Sequence, residues 1–246
     1  MFKGVAAHRG NMSVFPENTM PAFASAVELK CEYIELDIQF TKDEQIVVTH
    51  DASAKRVTGV DVVIANSSYK ELCELDFGKT FRDSNSASME LLPFQRLPLL
   101  SDVYELIKGT DTAISIQPKC DGIIKSVFKL AEKHDVKNQI AFNELNCEYL
   151  IEARRLSAAV PLFWDRLPNT DFETDVYIGK EFNFTALMYV WQALNPEKIK
   201  KLQSHGIHVG AIVINDAKAM HEFLDLNIKR FYTDYPELLI SILKNR

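Results

Sequence analysis

Short β-rich apolar runs alternate with amphipathic stretches along almost the whole chain, and that alternation is the pattern of a parallel α/β fold. A parallel neighbour needs a crossover of about a dozen residues or more, which a helix supplies. The runs that predict strands cover residues 5–8, 33–38, 113–116, 139–142, 160–164, 186–190, 208–214 and 230–233, eight in all. Helical patterns lie between them, among them 18–29, 122–134, 145–156, 196–204 and 218–226. Eight strands in 246 residues suit the roughly 250 residues of a (β/α)8 barrel. A single α/β domain, a TIM barrel spanning residues 1–246, is the expected fold.

Two segments depart from the repeat. A ninth apolar run, 45–50, follows Asp37 too closely for a crossover, with Thr41-Lys42-Asp43-Glu44 between them as a turn. It reads as the return arm of a hairpin rising from the second strand, which carries His50 back toward the level of Glu35 and Asp37. Residues 52–96 fit no barrel repeat and read as an insertion on the catalytic side, with the polar run 82–88 as a mobile loop.

Charge and cysteines narrow the function. A net charge of −6 argues against a non-specific nucleic-acid binder, because phosphate backbones recruit basic surfaces. A small phosphate ligand stays open, since one Arg, one Lys and a metal can invert the local field. Cys31, Cys73, Cys120 and Cys147 form no Cys-x-x-Cys pair, so free thiols in a reducing cytoplasm are expected rather than a zinc site. The opening Met-Phe-Lys-Gly reaches His8 before any apolar signal region, and no run is long enough to span a bilayer. Oligomeric state is not legible.

Active sites of such barrels lie at the C-terminal ends of the strands. His8 ends the first predicted strand, Asp37 lies near the end of the second, and Lys119 just follows the third. Candidates far apart in sequence therefore converge on one face. His8 alone would read as a core histidine, but Arg9 and Gly10 follow it. Gly10 permits a turn and close ligand approach, and a buried Arg at a strand end needs an anion. Glu35 and Asp37 alternate with Ile34, Leu36 and Ile38, so both point to one side. Two carboxylates in a barrel mouth repel unless a cation or proton separates them, and Mg²⁺ or Ca²⁺ is the natural partner for oxygen ligands. Asn18 reads as a helix N-cap, with Glu17 beside it near the metal or orienting a histidine. Trp164 and Trp191 read first as core packing.

Seven segments in order carry a resemblance: Ala7-His8-Arg9-Gly10, Pro16-Glu17-Asn18-Thr19, Ile34-Glu35-Leu36-Asp37, Val48-Thr49-His50-Asp51, Arg96-Leu97-Pro98-Leu99-Leu100-Ser101-Asp102, Ile116-Gln117-Pro118-Lys119 and Tyr232-Thr233-Asp234-Tyr235-Pro236. Together the chain resembles the glycerophosphodiester phosphodiesterase family. The resemblance implies hydrolysis of a small glycerophosphodiester to glycerol phosphate and an alcohol. His8 and His50 would be the acid/base pair, with Arg9, Lys119 and Glu17 on the phosphate and substrate. Glu35, Asp37 and Gln117 would hold the divalent cation.

Two positions depart from the family pattern. Gln117 stands where the family carries a third carboxylate, so weaker cation binding is expected. Ile212 stands where the family usually carries a Trp lining the glycerol side, a surface that Trp164 or Trp191 could supply instead. Pro118 suggests that the third strand stops there. Two other readings stay open: a related lysophospholipid or inositol phosphodiesterase, and a weakly active phosphate-binding barrel, for which Gln117 and Ile212 are the support.

Overall fold

A computed structural model describes residues 4–85 and 92–246. Its strands are β1 (Gly4–His8), β2 (Tyr33–Phe40), β3 (Ile46–Val48), β4 (Ala113–Pro118) and β5 (Ile140–Glu144). They continue with β6 (Leu162–Arg166), β7 (Ala186–Val190), β8 (Val209–Ile212) and β9 (Arg230–Thr233). All but β3 run parallel, in the order β1-β9-β8-β7-β6-β5-β4-β2, and β1 pairs with β2 to close the ring. The architecture is a TIM barrel. Closure leaves the eight strands no free edge, so alternate residues must face either the helices or the lumen.

That rule sorts the strand residues. Val5, Ala7, Ile34, Leu36, Ile38, Ile114 and Ile116 are buried in the main core with helix residues such as Phe23, Val103, Ile107 and Val127. Burying such a side chain contributes about 1.5–3 kcal/mol, so this layer is the principal source of stability. The lumen holds a second cluster of Ala6, Tyr33, Ala141, Phe163, Ala186, Met188 and Tyr232, with Ile212 packed against it. Trp164 faces the outer layer, where its Nε1 donates to the Leu145 carbonyl at 2.9 Å. Trp191 packs edge-on against Phe223 with ring centroids 6.4 Å apart. Both tryptophans are packing residues by these contacts.

The hairpin is present. β3 pairs antiparallel with β2 through Ile38↔Val48, Gln39↔Val47 and Phe40↔Ile46, and the Thr49 amide donates to the Asp37 carbonyl at 2.9 Å. His50 thus follows immediately beside the level of Asp37. The Thr41 hydroxyl donates to Asp43 at 2.6 Å and accepts from the Gln45 amide at 3.0 Å, closing the turn. β4 does end at Pro118, which has no N–H to donate; the next amide, Lys119, donates to the Ile38 carbonyl at 2.8 Å.

Helix α1 (Met20–Glu28) starts two residues later than expected, and Asn18 is not its N-cap. Thr19 occupies the cap position, and Asn18 instead adopts a left-handed conformation, φ 53°. After the hairpin come α2 (Lys55–Thr58), α3 (Tyr69–Leu72) and α4 (Lys79–Ser84). They surround a small cluster of Val47, Ala54, Ile64, Leu72, Phe77 and Leu97, separate from the main core. Residues 82–84, expected in a mobile loop, are helical, and Arg82 pairs with Asp76. Residues 86–88 of that expectation lie outside the described residues.

The barrel helices then follow as α5 (Leu100–Ile107), α6 (Ile124–His134), α7 (Cys147–Leu156) and α8 (Phe172–Glu181). The last are α9 (Pro196–Ser204), α10 (Ala217–Asp225) and α11 (Pro236–Lys244). Among the described residues no helix is long and apolar enough to cross a membrane.

Candidate active site

The C-terminal ends of β1, β2 and β4 and the residue after β3 bring the expected side chains together. β1 ends at His8, and the chain then turns through Arg9 (φ 54°) and Gly10 (φ 86°). A Cβ at Gly10 would lie 2.8 Å from the Ala22 backbone carbon, so glycine is required there by contact as well as by conformation. The left-handed Arg9 is costly for a residue with a Cβ. It turns the Arg9 amide to donate to Glu35 Oε2 at 3.1 Å.

Both histidines are held the same way. His8 Nδ1 lies 2.7 Å from Asp234 Oδ1, and His50 Nδ1 lies 2.6 Å from Asp51 Oδ1. A carboxylate at Nδ1 fixes the proton there and leaves Nε2 to exchange protons with a ligand. His8 Nε2 is 4.0 Å from Glu35 Oε2. Burial pulls the His8 pKa down, but the bond to Asp234 and the charge of Glu35 outweigh it and raise the net value.

Glu35 and Asp37 both face the lumen, as alternation along β2 required, and both are buried. Their environments differ. Burial and the nearby Asp37 push the Glu35 carboxyl up, only partly offset by His8 and Arg9. Burial opposes ionisation of Asp37 too, yet Lys119, Arg9, His50 and Asn18 hold it below the usual range. Lys119 Nζ lies 3.0 Å from Asp37 Oδ1, Arg9 Nε 3.4 Å from Oδ2, and Asn18 Nδ2 donates to Oδ2 at 2.9 Å. The chain's own cations therefore sit on the carboxylate expected to hold a metal.

Gln117 is placed beside Asp37 by the β2–β4 register, and its Oε1 accepts from Lys119. Glu17 meets neither histidine. It accepts from Arg9 Nη1 at 2.8 Å and from Arg56 Nη1 and Nη2 at 2.6 and 2.8 Å, so it positions two guanidinium groups. Arg56, from α2 of the insertion, also donates to Asp51 Oδ2 at 2.5 Å. One chain of alternating charge thus runs Arg9–Glu17–Arg56–Asp51–His50.

Several partners in the site escape the sequence reading. Asp234 has a signal in Thr233-Asp234-Tyr235-Pro236, but the motif by itself assigns it no role. Asn18 stands in a recognised segment, where helix capping is the simpler expectation. Arg56, Asn143 and Asp165 carry no local signal; they meet the site only through the insertion and through β5 and β6.

Among the described residues, no three His, Cys, Asp or Glu side chains are grouped to hold a metal ion. The set expected from the sequence, Glu35, Asp37 and Gln117, is two carboxylates and one amide oxygen. That oxygen-only set still suits a hard divalent cation. Asp37 Oδ1, buried and without a hydrogen bond, is an oxygen such an ion would meet, and the Lys119 ammonium already stands against it.

Two imidazoles, each tied at Nδ1 to a carboxylate, stand with Arg9 and Lys119 at the mouth of a closed parallel barrel, side chains that suit a phosphoric ester as ligand. The model of the glycerophosphoryl diester phosphodiesterase family matches residues 8–238. The chain belongs to that family of phosphoric diester hydrolases. A glycerophosphodiester phosphodiesterase of Caldanaerobacter subterraneus subsp. tengcongensis is 24% identical over 245 residues, covering 98% of this chain and 97% of the relative. Lysophospholipase D of Mus musculus is 27% identical over 283 residues, covering 97% of this chain and 85% of the relative. Among solved structures, an Oleispira antarctica phosphodiesterase in complex with the product sn-glycerol-3-phosphate superposes with a TM-score of 0.85. It is 20% identical, with 98% of this chain and 96% of that chain covered, and shows the shared fold.

Proposed function

We propose that this chain hydrolyses glycerophosphodiesters to glycerol phosphate and an alcohol, with His8 and His50 exchanging the protons. The matched tethering of both imidazoles at Nδ1 carries this reading, because it readies two Nε2 atoms at one mouth for opposite tasks. One takes the proton of the attacking hydroxyl; the other hands a proton to the leaving alkoxide. Arg9 and Lys119 approach Asp37 from two sides and would offset the phosphate's charge as it redistributes in the transition state. Glu17 orients Arg9 for that contact.

Glu35, Asp37 and Gln117 would hold a divalent cation, Mg²⁺ or Ca²⁺, which supplies Lewis acidity toward a phosphoryl oxygen. The barrel with its 52–96 insertion acts as one unit, since Arg56 reaches the site from α2. The four cysteines are free thiols, in keeping with a reducing cytoplasm.

Release of choline from glycerophosphocholine tests the reading, run beside lysophosphatidylcholine as competitor substrate. Hydrolysis of the former should vanish on exhaustive chelation and return with Mg²⁺ or Ca²⁺. Hydrolysis indifferent to chelation removes the cation from the scheme; preference for the acylated substrate replaces the proposed substrate class.

A further inference from the structure

Asp165 faces the lumen near the C-terminal end of β6, buried, and none of the steps above uses it. Two amides converge on its Oδ2, Gln117 Nε2 at 3.2 Å and Asn143 Nδ2 at 3.2 Å, while Oδ1 makes no hydrogen bond. Asn143 Nδ2 also reaches Glu35 Oε1 at 3.4 Å, and its Oδ1 accepts from the Ser115 hydroxyl at 2.9 Å. Each amide is thus held with its nitrogen toward a carboxyl group. Burial pushes the Asp165 carboxyl up to about 8, yet its Oδ2 can accept a hydrogen bond with or without the proton.

The orientation matters most at Gln117. A primary amide has nearly the same shape when its oxygen and nitrogen are exchanged, so shape alone does not decide which faces Asp37 and Lys119. An acceptor on the far side does decide. With a carboxyl oxygen opposite it, the amide must present Nε2 to Asp165 and Oε1 to the other side. The exchanged orientation would set the Gln117 oxygen against Asp165 and its NH₂ against the Lys119 ammonium, a repulsive contact at both ends.

We propose that Asp165 is a positioning residue that keeps the Gln117 oxygen turned toward the Asp37 side, making an amide serve as the third oxygen ligand of the divalent cation. The inference rests on the reading that Glu35, Asp37 and Gln117 hold that cation. Partners that orient a ligand from behind commonly change metal affinity by 10–100-fold on removal. The aspartate therefore acts through the glutamine and has no purpose if residue 117 is a carboxylate, whose two oxygens are equivalent.

Calorimetric titration of the full-length protein with Mg²⁺ and with Ca²⁺ tests this without reference to turnover. Asp165→Leu, which removes the acceptor, should weaken binding about tenfold or more. Asp165→Asn offers a carbonyl oxygen to Gln117 Nε2 and should restore affinity close to that of the unaltered protein. In the Gln117→Glu background the dependence should disappear, because two equivalent carboxylate oxygens need no partner to orient them: Asp165→Leu should leave the affinity there unchanged. Unchanged affinity in Asp165→Leu overturns the proposal. If that variant does not fold, Asp165→Ala is read in the same way: affinity unchanged from the unaltered protein, or an equal loss in the Gln117→Glu background, overturns it. Failure of the unaltered protein to bind either cation is a different result, which removes the cation reading and this inference with it.

Discussion

An imidazole tied to a carboxylate at Nδ1 has only Nε2 left to work with, and both site histidines are held this way. His8→Ala and His50→Ala should each lower turnover of glycerophosphocholine by roughly 10² or more, the scale of a lost proton transfer. Near-unaltered turnover in either variant, with its circular dichroism intact, would refute the two-histidine scheme. Asp234 sets the proton affinity of His8: burial alone would depress it, and the aspartate bond is the largest influence raising it above 6.5. A raised value means that His8 contributes stability fully present below pH 6.5 and lost as pH rises through the folded-state value. Asp234→Asn should move the His8 ring titration downward in NMR spectra and remove that loss of stability above pH 6.5. An unmoved titration would show that the aspartate does not control the ring. The convergence of His8, Arg9, Glu35, Asp37 and His50 on one mouth was legible because each lies in a short contiguous string on a strand or just after one. Asp165 was not, because a lone aspartate in Phe163-Trp164-Asp165-Arg166 says nothing until closure of the barrel sets it opposite Gln117.

At the scale of elements, the alternation of apolar runs sufficed for the strands, and the short gap after Asp37 sufficed for the hairpin. The insertion resisted such reading. Helices of four residues, such as α2 and α3, are barely one turn long and give no 3.6-residue periodicity to detect. Their packing is local, around Ile64, Leu72 and Phe77, so the main core leaves no imprint on their sequence. Yet α2 delivers Arg56, which bridges Glu17 and Asp51 and so links the Arg9 end of the site to the His50 end. Partly exposed ion pairs contribute about 0–1 kcal/mol to stability. Arg56→Gln should therefore leave the melting temperature almost unchanged while lowering kcat, because Asp51 loses the partner that holds it against His50. Arg56→Lys, which cannot grip Glu17 through two nitrogens and Asp51 through a third, should recover only part of the rate. Steady-state kinetics beside thermal denaturation would separate the cases. A loss of melting temperature in proportion to the loss of kcat would mean that Arg56 merely pins the insertion down.

Across the whole molecule, the lumen changes character from base to mouth. At the base, on β9, Arg230 is fully buried, its guanidinium 3.9 Å from the Tyr33 ring centre and 3.6 Å from that of Phe163. Arg230 Nη2 reaches the Tyr232 hydroxyl at 3.4 Å, which lies 3.1 Å from the Ser115 hydroxyl, and Ser115 bonds Asn143 beneath the site. A polar column therefore runs from a buried cation to the carboxylates of the mouth. Removing a guanidinium from water costs several kcal/mol after relaxation. Two desolvated aromatic faces return about 2 kcal/mol each. The opposing contributions are of similar size, so the charge at 230 should be close to neutral for stability and the volume should matter more. Arg230→Met, which keeps most of the bulk, should unfold in urea within about 1 kcal/mol of the unaltered protein. Arg230→Ala opens a cavity between Tyr33 and Phe163 and should lose about 2–5 kcal/mol. If methionine proves as damaging as alanine, it is the charge and its link to Tyr232 that hold the base of the barrel together. Stability and the electrostatics of the mouth would then be joined through the column.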